Sequence, residues 1–157
     1  MRPTVYIETS VVSYLVSRPS RDLIIAGHQQ ITEDWWRNVL PKVSAFVSEL
    51  VLEEAGKGDG HAAAKRLDRL VEIPALEVVD EVDGLAKKYA DALHLPDKTL
   101  ADAYHMALAT WHGMDYLVSW NCSHIASGRV QKVLTGVNNV LGFQTPIFCT
   151  PEELMEV

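Results

Sequence analysis

Two polar side chains bracket the stretch Pro96–Ile125, PDKTLADAYHMALATWHGMDYLVSWNCSHI. Asp102 lies inside an otherwise apolar helical run, where a carboxylate is costly unless it meets a cation or hydrogen-bond donors. Asn121 follows a short apolar strand at Tyr116–Ser119, and open α/β sheets gather ligands outside the carboxyl ends of their strands. Glu8 holds the equivalent place after the first apolar run, Thr4–Ile7, and is followed by Thr9 and Ser10. A third source of acid is the helical segment SELVLEEA, which carries Glu49, Glu53 and Glu54, at least one of them facing solvent. His105, three residues beyond Asp102, can share a helix face with it. Asp-x-x-His is a weak metal signature, and His105 reads better as a packing group or a support for its neighbours.

The elements that would position these groups follow from periodicity. Thr4–Ile7, Val43–Val47, Leu76–Val79, Tyr116–Ser119 and Ile147–Cys149 read as short buried strands. Between them, Leu23–Leu40 has Ile24, Ile31, Trp35 and Val39 at helical spacing, and Pro41 breaks it. Trp35 and Trp36 are both expected to pack in the core. Ser48 is a natural cap for the helix carrying Glu54, Thr9 or Ser10 for the first helix, and Asp97 for the helix after Pro96. Leu100, Tyr104, Ala107, Leu108 and Trp111 form that last helix's apolar stripe, and it ends in a tight turn at His112–Gly113. His61–Leu70, with Arg66 and Arg69 exposed, Glu81–Leu93 and Val130–Val140 complete the helices. The strands lie too far apart for hairpins, so the pattern predicts a three-layer α/β sandwich, a central parallel sheet flanked by helices.

At 157 residues, with 48% hydrophobic composition and no linker or repeat, the chain fits one domain spanning 1–157. The first residues lack a basic region followed by a long apolar run, so no signal peptide is expected. No run approaches the roughly 18 apolar residues that a membrane span needs. Cys122 and Cys149 lack metal-ligand spacing and read as reduced thiols, so the expectation is a cytoplasmic protein. A net charge of −7 argues against indiscriminate nucleic-acid binding, whose affinity is mostly phosphate neutralisation. Any phosphate contact has to be local, and Arg18 and Arg21 in the polar loop RPSRD are the candidates.

Four segments in order, VYIETSVVSYL, VSELVLEEA, LADAYHMALA and YLVSWNCSHI, make the chain resemble the PIN domain family, of the kind found in VapC-type toxins of bacterial toxin–antitoxin pairs. The family pattern is a strand ending in Asp-Thr-Ser, then Glu, then Asp on a helix, then Asp after the next strand. On this sequence the resemblance puts Glu8, Glu54, Asp102 and Asn121 at those catalytic positions. Glu54 is preferred to Glu53 because it precedes the small apolar residue Ala55. The resemblance implies a metal-dependent endoribonuclease, with Glu8, Glu54 and Asp102 holding Mg²⁺ or Mn²⁺ and Thr9 or Ser10 supporting them by hydrogen bonds. It also implies an RNA substrate, an antitoxin partner and a homodimer.

The physical case runs in parallel. Carboxylates gathered from separate segments repel by roughly 4 kcal/mol per pair at 4 Å and an effective dielectric of 20. A fold tolerates that only with a cation or a shared proton among them. Hard divalent ions with oxygen ligands suit such a site. Two departures matter: Glu8 is a methylene longer than the family's Asp, and Asn121 is an amide where the family has an acid. With three negative charges instead of four, a second ion is weakened more than a first. The alternative is a catalytically weakened PIN-like module that binds nucleic acid or protein. A phosphoreceiver needs a phosphorylatable Asp after the middle strand with lysine and hydroxyl partners, and only Asp80 is near that place. A haloacid-dehalogenase-type phosphatase needs paired Asp residues after the first strand, where this chain has Glu-Thr-Ser.

Overall fold

Val5, Tyr6 and Ile7 have no solvent-accessible surface, which is why the first strand is apolar at every position rather than alternating. This strand, β1 (Thr4–Ile7), is the middle of the sheet in the computed structural model, which describes residues 1–157. Around it stand β2 (Ser44–Ser48), β3 (Ala75–Leu76), β4 (Tyr116–Val118) and β5 (Ile147–Cys149), in the order β3-β2-β1-β4-β5 and all parallel. Tyr6 faces Phe46 on one side and Leu117 on the other. Because every strand runs the same way, all five carboxyl ends lie on one edge. The order reverses between β1 and β4, and the crevice opened there is where α/β sheets bind ligands.

Seven helices cover the sheet: α1 (Thr9–Val16), α2 (Leu23–Asn38), α3 (Glu49–Ala55), α4 (Gly60–Leu70), α5 (Asp80–Leu93), α6 (Leu100–Trp111) and α7 (Gly128–Leu141). The expected layered α/β architecture is therefore present. One cluster of 32 buried apolar residues unites the layers, so a single core is shared from Val5 to Leu154. No helix is long and apolar enough to cross a membrane. Helix α6 is buried on nearly all sides, from Ala103 to Thr110, because it lies between the sheet and α5. It ends as expected in a turn, with Gly113 at φ +73°, a backbone region that side chains disfavour.

Several local expectations shift. The third strand shrinks from Leu76–Val79 to Ala75–Leu76, because Val78 donates its N–H to the Glu49 carboxylate instead of continuing the ladder. Ile24 does not join a buried stripe: it is 72% exposed, in the first turn of α2 beside exposed Leu23. Trp35 is buried and donates from Nε1 to the Leu154 carbonyl, while Trp36 is half-buried against the core. Of the expected α6 stripe, Trp111 sits at the helix end and is exposed, resting on Phe143. Arg66 is not a free surface cation; it folds back to donate to the Ala55 and Lys57 carbonyls at the end of α3.

The caps divide in the same way. Ser48 caps α3, its hydroxyl accepting from the Val51 N–H. Asp97 caps nothing, because a 3-10 turn at Asp97–Thr99 intervenes and α6 starts only at Leu100. Thr9 and Ser10 are the first residues inside α1 rather than its cap, and Glu8 occupies the cap position without a side-chain cap bond. Their hydroxyls are turned elsewhere.

Candidate metal centre and its hydrogen-bonded frame

Glu8 leaves β1 with its N–H bonded to the Val118 carbonyl of β4, at 3.1 Å, so the side chain is set at the crevice between the two strands. Glu54 arrives from α3, which follows directly from β2, and His105 from the buried face of α6. One ligand atom from each of Glu8, Glu54 and His105 lies within 4.8 Å of the others. These three groups, from three separate segments, form the centre of the site.

The two carboxylates are held alike. Glu8 Oε1 accepts from the Ser10 and Ser119 hydroxyls, each at 2.6 Å. Glu54 Oε1 accepts from the Thr9 hydroxyl at 2.5 Å and pairs with His105 Nε2 at 2.7 Å. In each glutamate one oxygen is taken by two partners and the other, Oε2, is left without a hydrogen bond. No fully buried side-chain nitrogen or oxygen in the protein lacks a partner, so Glu8 Oε2 reaches solvent although the residue is only 8% exposed. Glu8 Oε2 also lies 3.9 Å from His105 Nε2. Two fixed carboxylates, each with one oxygen outside any hydrogen bond, are the kind of donor set that hard divalent ions take, often with several waters.

His105 is 1% exposed. Its Nδ1 meets the Tyr6 hydroxyl at 2.7 Å, and that hydroxyl meets Ser48 Oγ at 2.8 Å. Nε2 at 2.7 Å from a carboxylate oxygen carries a proton, so the ring is a donor to Glu54 in this arrangement rather than an open ligand. Burial alone would push the imidazole pKa down. The bond to Glu54 and the negative charges of Glu8, Glu54 and Asp102 outweigh it and raise the value above 6.5. Burial would likewise raise the Glu54 carboxyl, but the bond and charge of His105, the Thr9 hydroxyl and Lys57 hold it below 4.5. Tyr6 is pushed well above the usual phenol value by burial and by the two carboxylates, and stays protonated. The acids around the ring thus favour its protonated form, and the ring meets Glu54 with its Nε2–H.

Asp102 and Asn121 occupy the rim. Asp102 Oδ2 bonds His124 Nδ1 at 2.9 Å, with side-chain exposures of 18% and 36%. Asn121 Oδ1 accepts the His124 backbone N–H, and the Asn121 N–H donates to Ser119 Oγ, the hydroxyl that also binds Glu8. The expected four-residue set is therefore brought to one edge but divided: Glu8 and Glu54 face each other, while Asp102 and Asn121 both attend to His124. Thr9 and Ser10 take the supporting positions expected of them. Beyond Ser10, the Trp120 N–H donates to its Oγ, and the Trp120 ring stacks on His28 with centroids 4.1 Å apart. A surface groove of about 540 Å³, between Glu49, Glu53, Val78, Leu100, Ala101 and Tyr104, is lined by none of these groups.

Sequence reasoning passed over His124, Ser119 and Tyr6, and set His105 aside as packing or support. The Asp102-x-x-His105 spacing was a usable signal, since residues three apart share a helix face. Ser119, a hydroxyl ending an apolar strand beside Glu8's strand, was another. Nothing local marks Tyr6, whose role depends on β1 lying beneath α6. Comparison of the chain with protein-family models, curated proteins and solved structures found no match.

Proposed function

We propose that this protein is a PIN-type, divalent-metal-dependent endoribonuclease, the toxin of a toxin–antitoxin pair, with Glu8 and Glu54 holding Mg²⁺ or Mn²⁺. The observation that carries the reading is the pairing of these two glutamates at the strand-order reversal. Each has one oxygen fixed by two hydrogen-bonding partners and one oxygen free. An ion held there would bind a phosphate oxygen, lower the pKa of a water and stabilise charge on the leaving oxygen. The chain's own residues supply the frame. Ser10 and Ser119 aim Glu8, Thr9 and His105 aim Glu54, and Tyr6 fixes the ring of His105. RNA as substrate follows from the resemblance to PIN toxins, as do an antitoxin and a homodimer.

The second reading, a binding module with weakened catalysis, draws on Asn121: its amide oxygen is engaged by the His124 N–H, so the position adds no fourth acid. The two readings separate in one assay. Purified protein is incubated with a mixed RNA pool in EDTA, Mg²⁺ or Mn²⁺, beside Glu8→Gln and Glu54→Gln. Metal-dependent cutting lost in both variants is the expected outcome. RNA binding without cutting under every condition leaves the binding module.

A further inference from the structure

Helices α1 and α2 and the loop 17–22 between them are basic in an acidic protein. Between Thr9 and Thr32 the only acid is Asp22, in a chain with 21 acidic residues, and its carboxylate accepts the Ile24 and Ile25 N–H groups at the start of α2. Arg18 and Arg21 stand exposed in the loop, and neither guanidinium makes an ion pair or a hydrogen bond within the protein. The loop itself is fixed: the Gln29 amide donates to Ser17 Oγ and the Arg18 carbonyl and accepts the Ser20 N–H. The same two helices bring Tyr14 and His28 against Trp120, so that three rings are in mutual contact. Trp120 is locked by its backbone N–H on Ser10 Oγ at 2.9 Å, the hydroxyl that reaches Glu8 at 2.6 Å, and by its indole N–H on Thr32. His28 stacks on that indole with planes 14° apart, and Tyr14 meets both rings edge-on. His28 is partly exposed, no other ring covers its second face, and neither of its ring nitrogens makes a hydrogen bond.

We propose that this α1–α2 unit is a binding site for single-stranded RNA, in which His28 stacks an unpaired base and Arg18 and Arg21 hold backbone phosphates; this rests on RNA being the substrate in the reading above. Two independent observations, free cations on a fixed loop and a ring face backed by a locked indole, are the features that single-strand binding combines. An imidazole face takes a base as other aromatic faces do, and stacking asks for no change in its protonation. The guanidinium fork matches phosphate oxygens, and in a protein of net charge −7 such contacts have to be made where cations are unpaired. Within a duplex each base face is already covered by its neighbours, so the site selects unpaired nucleotides. Trp120 lies between Ser119 and Asn121, so a strand stacked on His28 is held at the sheet edge where Glu8 and Glu54 stand. On this assignment the choice of target depends on pairing state more than on base identity.

The test reads binding apart from cutting. In EDTA, a short single-stranded RNA carrying a fluorescent adenine analogue is titrated with the parent, His28→Ala, His28→Phe and the double variant Arg18→Ala/Arg21→Ala. The same RNA annealed to its complement serves as the duplex. The parent is expected to bind the single strand more tightly than the duplex and to quench the analogue, as stacking does. His28→Ala should lose the quenching and about 5–150-fold in affinity, whereas His28→Phe keeps both. The arginine variant should keep the quenching at saturation and lower the slope of log affinity against log salt by about 1.4, the value for two phosphates on a single strand. Unchanged binding by His28→Ala, a His28→Phe variant no better than His28→Ala, equal binding of the duplex, or an unchanged salt slope would overturn the assignment. Cutting of the same RNA in Mn²⁺ is measured alongside. A parent that binds and quenches without cutting supports the site and overturns the nuclease reading, and one that cuts without quenching overturns the site alone. A parent that neither binds nor cuts overturns both.

Discussion

Replacing His105 by leucine asks whether the ring is the internal cation of the carboxylate pair or a ligand. The leucine fills a comparable volume on a buried helix face and removes both ring hydrogen bonds. The bond to Glu54 joins a donor to an ion and is worth about 1.5–3 kcal/mol, and the bond to Tyr6 about 1 kcal/mol. Tyr6 keeps Ser48 as a partner, so no buried hydroxyl is orphaned. Added apolar burial returns about 1 kcal/mol, leaving a net loss of about 1.5–3 kcal/mol. At about 2–4 °C per kcal/mol for a chain of this size, the metal-free melting temperature should drop by about 3–12 °C. Mn²⁺ should still bind, because Glu8 and Glu54 have lost their only buried cation and repel each other more. At about a hundredfold excess over Kd it should return about 2.7 kcal/mol. The assay is thermal unfolding in EDTA and then along a Mn²⁺ series. An unchanged metal-free melting temperature would refute the internal-cation argument. A variant that melts low and gains nothing from Mn²⁺ would show that His105 is a ligand.

Four further outcomes follow from the same geometry. His105 is raised in the fold, so its contribution is fully present below its ordinary 6.5 and is lost as pH rises through the raised value. Glu54 is lowered, so its contribution is present above 4.5 and is lost as pH falls through the depressed value. Metal-free stability from this pair should peak between those limits, and denaturant midpoints across pH should lose that peak in His105→Leu. Ser119→Ala removes one of two donors to Glu8 Oε1 and should weaken Mn²⁺ binding by about 10–100-fold, measured by calorimetry. Ser48→Ala strips both the α3 cap and the Tyr6 bond and should cost about 1–2 kcal/mol in urea unfolding. Burial and the charge of Glu153 push the Cys149 thiol up to about 12, so alkylation near neutral pH should reach exposed Cys122 first and Cys149 only after unfolding; mass spectrometry of the native protein reads this directly.

The layered architecture was legible because its signals are local. Continuous apolar runs such as VYI and YLV mark strands buried on both faces, and their separation by helical periodicity forces parallel pairing. Glu8 was legible for the same reason: a residue that ends a central strand must lie at the sheet's carboxyl edge. Ser48 as a cap and Gly113 as a turn likewise depend on neighbours within four residues. What the chain could not disclose by itself is which side chains meet across segments. The expectation treated Asp102 as the partner of Glu8 and Glu54, whereas packing of α6 turns His105 to them and leaves Asp102 to His124. The two residues differ by three positions, less than one full turn, and only the rotation of α6 against the sheet selects between them. Thr9 and Ser10 read both as caps and as supports for the acids, and the crevice selects the second role by offering their hydroxyls two carboxylates. The sequence by itself determined the elements and the edge at which the acids gather. The tertiary structure decided which nitrogen and which hydroxyl each carboxylate meets, because hydrogen bonds are short-ranged and their geometry is set by the packing of elements far apart in the chain.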